Sequence, residues 1–263
     1  MKMIRRIIAA LSLYTRLPMP FVRLDDGDMG HVISFLPLAG VIIGAVSYLV
    51  IMAGVYLSLP CMVLTILLSL VPIVITGGFH ADGFMDVSDA IHSYRSREQK
   101  IQIMKDPHVG GFAIISFTSC FMLWIAAIYL IIDKALAAED FKLSGSYTAV
   151  FFLVRAFCGI TSIILPGINY SEMLKIETEK SGRGDICFLS LQVIIAVIYM
   201  MFFSPIAAIV CFFAMLLFCL WYGRLTRLHF GGVNGDCAGY FVVMGEVLLA
   251  VILAVLSMLP SVK

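Results

Sequence analysis

Between Thr76 and Asp89 the chain sets three aspartates behind a pair of glycines: Thr76-Gly77-Gly78-Phe79-His80-Ala81-Asp82-Gly83-Phe84-Met85-Asp86-Val87-Ser88-Asp89. The spacing predicts a helix from about Asp82, and offsets of four and seven residues then put Asp82, Asp86 and Asp89 on one face. Like charges stacked in this way repel, and a divalent cation removes the repulsion. Oxygen-only ligands select a hard ion, Mg²⁺ or Mn²⁺; Mg²⁺ keeps waters and takes the rest of its shell from substrate phosphates. Gly77 and Gly78 let a bulky anionic substrate approach the backbone at a helix N-terminus. The plain alternative is a solvated helix end. His80 stands beside the acidic helix as a base, an outer support for a metal ligand, or a cap.

Two further segments bring polar groups to the ends of apolar runs. Ile103 to Phe112 contains Lys105 and Asp106; Asp106 is a candidate to complete the metal site and Lys105 to hold a phosphate as a point charge. Phe230 to Tyr240 contains Gly231, Gly232, Asn234, Gly235, Asp236 and Gly239. Glycines with one aspartate suggest a backbone nest for anions with a carboxylate beside it; the alternative is a flexible glycine turn. At Gly235 a Cβ is expected to block either a positive φ or a close approach. Arg155 and Glu246 lie inside apolar runs, where ionisable groups are costly enough to be functional or paired. His31, His92 and His229 read as ordinary interfacial residues. No G-x-S-x-G and no P-loop pattern occurs.

The elements that must position these groups belong to a membrane. Of 263 residues, 61% are hydrophobic and 13% charged, against about 25% charged in an ordinary soluble domain. Mean hydropathy is +1.02, more apolar surface than a soluble domain of this size can hide. A net charge of +1 with no basic run excludes a nucleic-acid binder. The seven cysteines, Cys61, Cys120, Cys158, Cys187, Cys211, Cys219 and Cys237, are scattered singly and read as small hydrophobes. The expected architecture is all-α: a polytopic helical bundle of about seven transmembrane helices, forming one domain over residues 1–263.

Charge-free runs mark the spans. Met29 to Ala81 holds two helices with a break near Ser58-Leu59-Pro60. Further spans run from about Phe112 to Ile132 and Tyr147 to Leu165, and two share Ile186 to Gly223, turning at Phe203-Ser204-Pro205. The seventh runs from Tyr240 to Leu259. Ahead of them, Arg5, Arg6 and Arg16 with Pro18 and Pro20 predict an interfacial amphipathic helix and an extended strap, not a cleaved signal peptide. With seven spans, 14 of the 18 basic residues, all five histidines and 13 of the 17 acidic residues share the N-terminal side. The positive-inside rule makes that side cytoplasmic, in a cell membrane whose candidate site faces the cytoplasm.

Gly77-Gly78-Phe79-His80-x-Asp82-Gly83-x-x-Asp86-x-x-Asp89, with Ile103-Met104-Lys105-Asp106-x-x-x-Gly110 after it, resembles the motif of the cobalamin synthases, the adenosylcobinamide-GDP ribazoletransferases. Three more segments match in order: Thr15-Arg16-Leu17-Pro18-Met19-Pro20, Phe35-x-Pro37-Leu38-x-Gly40-x-x-x-Gly44, and Gly231-Gly232-x-Asn234-Gly235-Asp236-x-x-Gly239 with Glu246. Arg155 also stands where the family has an arginine. The chain departs from the pattern at Ala90 and Ala113, each in place of glycine, at Asn234 for threonine and at Val243 for glutamate. It also lacks a glycine-bearing run between Tyr170 and Gly184.

The resemblance implies a Mg²⁺-dependent phosphodiester transfer. The ribose hydroxyl of α-ribazole, or of its 5′-phosphate, attacks the phosphate attached to cobinamide in adenosylcobinamide-GDP, and GMP leaves. Asp82, Asp86 and Asp89 would hold the metal, with Lys105 aiding charge neutralisation and Asp89, Asp106 or His80 serving as base. Gly77, Gly78, Gly231, Gly232, Asn234, Gly235, Asp236 and Arg155 would contact substrate. Membrane lipid is an expected partner, with a second copy of the chain or other corrinoid-pathway enzymes beside it. The competing enzyme class is a phosphatidyl- or prenyl-transferase, whose acidic motifs are spaced differently on two comparable helices. The competing non-enzyme is a divalent-cation transporter, which calls for ligands near mid-membrane where only Glu246 lies.

The charge asymmetry has a direct check. A topology reporter inserted near Arg95 is expected to read cytoplasmic and one fused after Lys263 external; cytoplasmic signal at both places would put the span count wrong by one.

Overall fold

A computed structural model of the chain describes residues 2–22, 26–168, 174, 176, 178 and 180–259. Arg23, Lys175 and Lys263, counted above among the basic residues, and part of Tyr170 to Gly184 lie outside the described residues. The elements are helical: α1 (Lys2–Tyr14), α2 (Asp26–Met29), a 3₁₀ turn (Val32–Phe35), α3 (Leu36–Tyr56), α4 (Cys61–Thr76), α5 (Phe79–His92), α6 (Arg97–Ile103), α7 (Gly111–Ala138), α8 (Lys142–Ile164), α9 (Arg183–Phe203), α10 (Pro205–His229) and α11 (Gly235–Ser257). Only one isolated bridge, Gly167 with Val233, departs from this among the described residues. Six of the helices are long and apolar enough to cross a membrane, or up to seven if the bent pair α4–α5 counts as one span. The all-α polytopic bundle is as expected.

The turns fall where the residue types put them. Pro60 precedes α4, and Pro205 opens α10 with Ser204 as N-cap, its hydroxyl accepting from the Ala207 N–H at 3.3 Å. The second span differs from expectation. It ends at Thr76, five residues before Ala81, and the next helix begins at Phe79 rather than Asp82. Gly77 (φ 67°) and Gly78 (φ 82°) both take the left-handed conformation and bend the chain by 92°. The N-terminal strap docks on this elbow: the Arg16 N–H donates to the Ile75 carbonyl at 2.7 Å, and the Arg16 side chain lies over Gly77.

Helix α8 is the most buried of the spanning helices, with α3 and α9 packed along it and α11 close behind. It is rich in small residues: Ser144, Gly145, Ser146, Thr148, Ala149, Ala156, Gly159 and Ser162 are all buried. Small side chains let helix backbones approach where lipid supplies no hydrophobic drive for association. On the facing helix, a Cβ at Gly40 would lie 2.3 Å from the Phe151 carbonyl oxygen and one at Gly44 2.2 Å from that of Thr148. Outward faces stay apolar and exposed, as at Val74, Ile115, Leu123, Phe202 and Leu220, which suits lipid contact. Helix α1 lies against α3, burying Ala9, Ala10 and Tyr14, and Arg6 Nε donates to Asp28 Oδ1 at 3.2 Å.

The close α3–α8 contact predicts that Gly44→Ala lowers the thermal midpoint in detergent, by the equivalent of about 1–3 kcal/mol for overpacking a tight contact. Gly184→Ala, where a Cβ meets nothing within 4 Å, is expected to leave it unchanged.

Candidate active site

The elbow lays α5 across one end of the bundle with two unlike faces. His80, Gly83, Phe84, Val87 and Ala90 are buried, while Asp82 is exposed and Asp86 and Asp89 are half-buried on the other side. The helix is continuous through all three aspartates, so the shared face holds. Asp82 and Asp89 are nevertheless seven residues, about 10 Å, apart along the axis. Among the described residues no three Asp, Glu, His or Cys side chains converge closely enough to hold one ion. The aspartates form a row, not a finished ligand cluster.

A fourth carboxylate joins the row from the start of α11. A Cβ at Gly83 would lie 2.8 Å from the Asp236 Cα, and one at Gly239 2.9 Å from the His80 carbonyl oxygen. The two helices therefore touch backbone to backbone, and Phe84 stacks on Tyr240 at 5.3 Å beside that contact. Asn234 caps α11: its Oδ1 accepts from the Cys237 N–H at 2.9 Å while its Nδ2 donates to Asp236 Oδ2 at 2.8 Å. Asparagine does here what a hydroxyl residue does at an N-cap, and also orients Asp236.

Burial, then the charges of Asp236, Asp82 and Asp89, push the Asp86 carboxyl up to about 7. Asp89 instead faces the start of α7, where its Oδ1 accepts from the Ala113 N–H at 3.4 Å and its carboxylate fills the space a Cβ at Gly110 would need. All donors in this row are oxygens, and their negative charge is uncompensated enough to raise Asp86. That chemistry fits a hard divalent cation.

The loop ahead of α11 is tied down rather than open. The Gly231 N–H donates to the Thr226 carbonyl at 3.0 Å, the Val233 N–H to that of Pro166 at 2.9 Å, and the Ile168 N–H to that of Val233 at 2.9 Å. Those amides are spent on protein carbonyls, so the backbone nest expected at Gly231 and Gly232 is not formed by them. A Cβ at Gly235 meets no protein atom within 4 Å and the residue has no positive φ, so the protein itself does not require glycine there, and the space stays open to a substrate. The close approach falls at Gly239 and Gly83, because they lie where α11 crosses α5. Asp106 closes a local turn, its Oδ1 accepting from the His108 N–H at 3.0 Å and lying 2.7 Å from His108 Nδ1. Lys105 is exposed on the same turn.

On the membrane side of α5 lie His80, Arg155 and Glu246. Arg155 is 1% exposed and donates from Nη1 to Glu246 Oε1 at 2.5 Å and to the Phe151 carbonyl at 3.1 Å. Both line a cavity with His80. Sequence reasoning anticipated pairing for these intramembrane groups but not its partner, 91 residues away. It also passed over His31, whose Nδ1 lies 3.0 Å from Asp185 Oδ2 while Ser34 donates to Asp185 Oδ1 at 2.7 Å. Lys100 Nζ against His229 Nδ1 at 2.7 Å was missed likewise.

The profile of the family described as cobalamin-5-phosphate synthase matches residues 6–254. The chain belongs to that family. It is similar to the adenosylcobinamide-GDP ribazoletransferase of Lachnoclostridium phytofermentans, 33% identical over 258 residues, covering 97% of this chain and 95% of that one. It resembles the Clostridium perfringens protein of the same name at 32% identity (92% of this chain, 94% of that one) and the Brevibacillus brevis one at 31% (93% and 95%). No solved structure matches. Family membership makes the chain an enzyme, a transferase of cobalamin biosynthesis embedded in a membrane.

The crowded Asp86 predicts a pH-dependent effect of one substitution. Its pKa is raised on folding, so the charged form opposes folding, and the opposition grows as pH climbs from near the ordinary value of 3.8 to about 7 and then levels. In metal-free protein, Asp86→Asn is therefore expected to raise the thermal midpoint progressively over that window, with a constant advantage above it. An advantage that shrinks with rising pH would contradict the electrostatic reading.

Proposed function

We propose that this enzyme joins α-ribazole, or its 5′-phosphate, to adenosylcobinamide-GDP with release of GMP, using Mg²⁺ at the acidic row of α5, with Asp82 and Asp86 as its ligands and Asp89 beside them. The reading is carried by the family match across residues 6–254 together with the shared name of relatives that cover nearly the whole chain. The family's description, cobalamin-5-phosphate synthase, supports the 5′-phosphate as one acceptor. The arrangement of basic residues supports a cytoplasmic site in the bacterial cell membrane.

The chemistry follows from the acidic row. The acceptor's ribose hydroxyl attacks the phosphorus that carries cobinamide; the bond from that phosphorus to the bridging oxygen breaks, and GMP departs with the electron pair. Bound Mg²⁺ would neutralise the diphosphate and its leaving group. Asp82, exposed, and Asp86, half-buried, would hold it, with Asp236, braced by Asn234, beside them. Of the three candidate bases, His80 lies on the buried side of α5 and Asp106 is engaged with His108. Asp89 shares the carboxylate face and is assigned to accept the hydroxyl proton. Lys105 would contribute a cationic contact to phosphate from the loop after α6.

Purified protein in liposomes, given adenosylcobinamide-GDP, α-ribazole and Mg²⁺, is expected to yield GMP and a cobalamin. Asn at position 82, 86 or 89 is expected to lower the rate at least about 10²-fold, as for loss of one electrostatic stabiliser. Excess Mg²⁺ should restore part of the rate to the Asp82 and Asp86 variants and none to the Asp89 variant. Full activity in EDTA, or in all three variants, would remove the metal from the mechanism.

A further inference from the structure

The cavity beneath α5 is separate from the aspartate row and has its own chemistry. It is an open recess of about 520 Å³, outside space at its mouth included, lined by α4, the elbow and start of α5, α7, α8 and α11. Ile73, Phe117, Phe121, Trp124 and Val243 form apolar walls, three of them aromatic rings from α7. Its charged and imidazole lining is Arg155, Glu246 and His80; Ser69 and Thr76 also line it, their hydroxyls donating to carbonyls of their own helix. Arg155 and Glu246 are paired to each other, so the cavity presents no net charge and has no place for an anion that needs a free guanidinium.

Two nitrogens there remain unsatisfied. Arg155 Nε and His80 Nδ1 are buried without a hydrogen-bond partner, in residues 1% and 6% exposed. An arginine Nε always carries hydrogen, so it asks for an acceptor; His80 Nδ1 takes either role by choice of tautomer. Leaving such groups unpaired in an apolar surround is unfavourable. An alkyl chain entering from the bilayer would fill the walls and leave both nitrogens unpaired. A phosphate or carboxylate would compete with Glu246. What satisfies walls and nitrogens together is a flat, uncharged ring with an acceptor nitrogen. Aromatic walls favour stacking or edge contacts with such a ring, and pockets that take small molecules combine apolar lining with a few placed polar groups.

We propose that this cavity binds a neutral nitrogen-heteroaromatic ring, namely the base of the ribazole acceptor; the identity of the ring rests on the transferase reading, while the site itself does not. Gly78 lines the cavity and stands in open space, where a Cβ would meet nothing within 4 Å. The mouth at the elbow is thus where the ring's sugar would emerge, next to the start of the acidic helix. Val243 and Phe121 are then specificity-determining residues, setting the width of the slot.

The chain has two tryptophans, Trp124 and Trp221, so the full-length Trp221→Phe protein in lipid nanodiscs reports on the cavity through Trp124 alone. Benzimidazole, titrated without nucleotide or Mg²⁺, is expected to change Trp124 fluorescence saturably. Val243→Phe should fill the slot and raise the Kd at least about tenfold. Should that variant fail to insert, Phe121→Ala, at the lipid-facing side, should raise it up to about tenfold through loss of a ring contact. No saturable change, or Kd values unmoved by whichever variant inserts, would overturn the proposal. So would nanodiscs of brominated phosphatidylcholine that quench Trp124 without relief by benzimidazole, since a lipid chain would then be the occupant. Benzimidazole binding without any GMP formation from adenosylcobinamide-GDP would sink the transferase reading and leave the cavity a heteroaromatic site. GMP formation without benzimidazole binding would sink this proposal alone.

Discussion

A helix that carries carboxylates on one face and Phe84 and Val87 on the other has one comfortable position in this protein, at the boundary between lipid and water with its axis along the surface. The two left-handed glycines Gly77 and Gly78 put it there by turning the chain 92° at the end of α4. Had α4 continued straight, α5 would stand out from the membrane, with its apolar face in water and its aspartates remote from α11. Bent, it covers the bundle with His80, Phe84 and Val87 and leaves Asp82 exposed and Asp86 and Asp89 half-buried on the other side. Everything that converges on the site meets at this elbow: the Arg16 strap above it, the start of α11 against Gly83, and the start of α7 at Asp89.

The roof needs a firm floor, and a buried ion pair is part of it. Charges inside a bilayer are unfavourable alone, and an Arg–Glu pair offsets much of that cost only when geometry and hydrogen bonds are good. Arg155 meets Glu246 and a carbonyl of its own helix. The pair links α8, the most buried span, to α11, and so fixes the rotation of the helix that delivers Asp236 to the acidic row. Small residues do the same work without charge along α8, where Gly40 and Gly44 bring α3 against the backbone.

Much of this was legible in the residues. Charge-free runs, Pro60 and Pro205 located the spans, since charged groups are costly unpaired in lipid and proline favours a helix start over its interior, although α4 continues through Pro72. The offsets of four and seven located the acidic face, because helical periodicity is local. What sequence could not give was long-range register. That Arg155 pairs with Glu246, that His31 meets Asp185, and that Gly239 rather than Gly235 is the tight contact all depend on how helices cross. The Val233 amide is spent on the Pro166 carbonyl, a neighbour that no local pattern announces. The aromatic walls of the cavity were invisible for a different reason: Phe117, Phe121 and Trp124 sit in an apolar span, where such residues are ordinary.

Placed across one helix, these features separate two kinds of solvation. Phosphate transfer is favoured by charged groups and proton exchange, which the acidic face of α5 offers through its row of carboxylates. A neutral aromatic ring gains most from a dry slot, which the opposite face helps to enclose between α4, α7 and α11. A soluble protein would have to build that slot from its own core. Here the bundle already provides an apolar interior, and Gly78, which lines the cavity, directly precedes the helix that carries the carboxylates. On the proposed reading, embedding the enzyme in a membrane follows from the acceptor itself, a molecule with one end suited to water and the other to an apolar pocket.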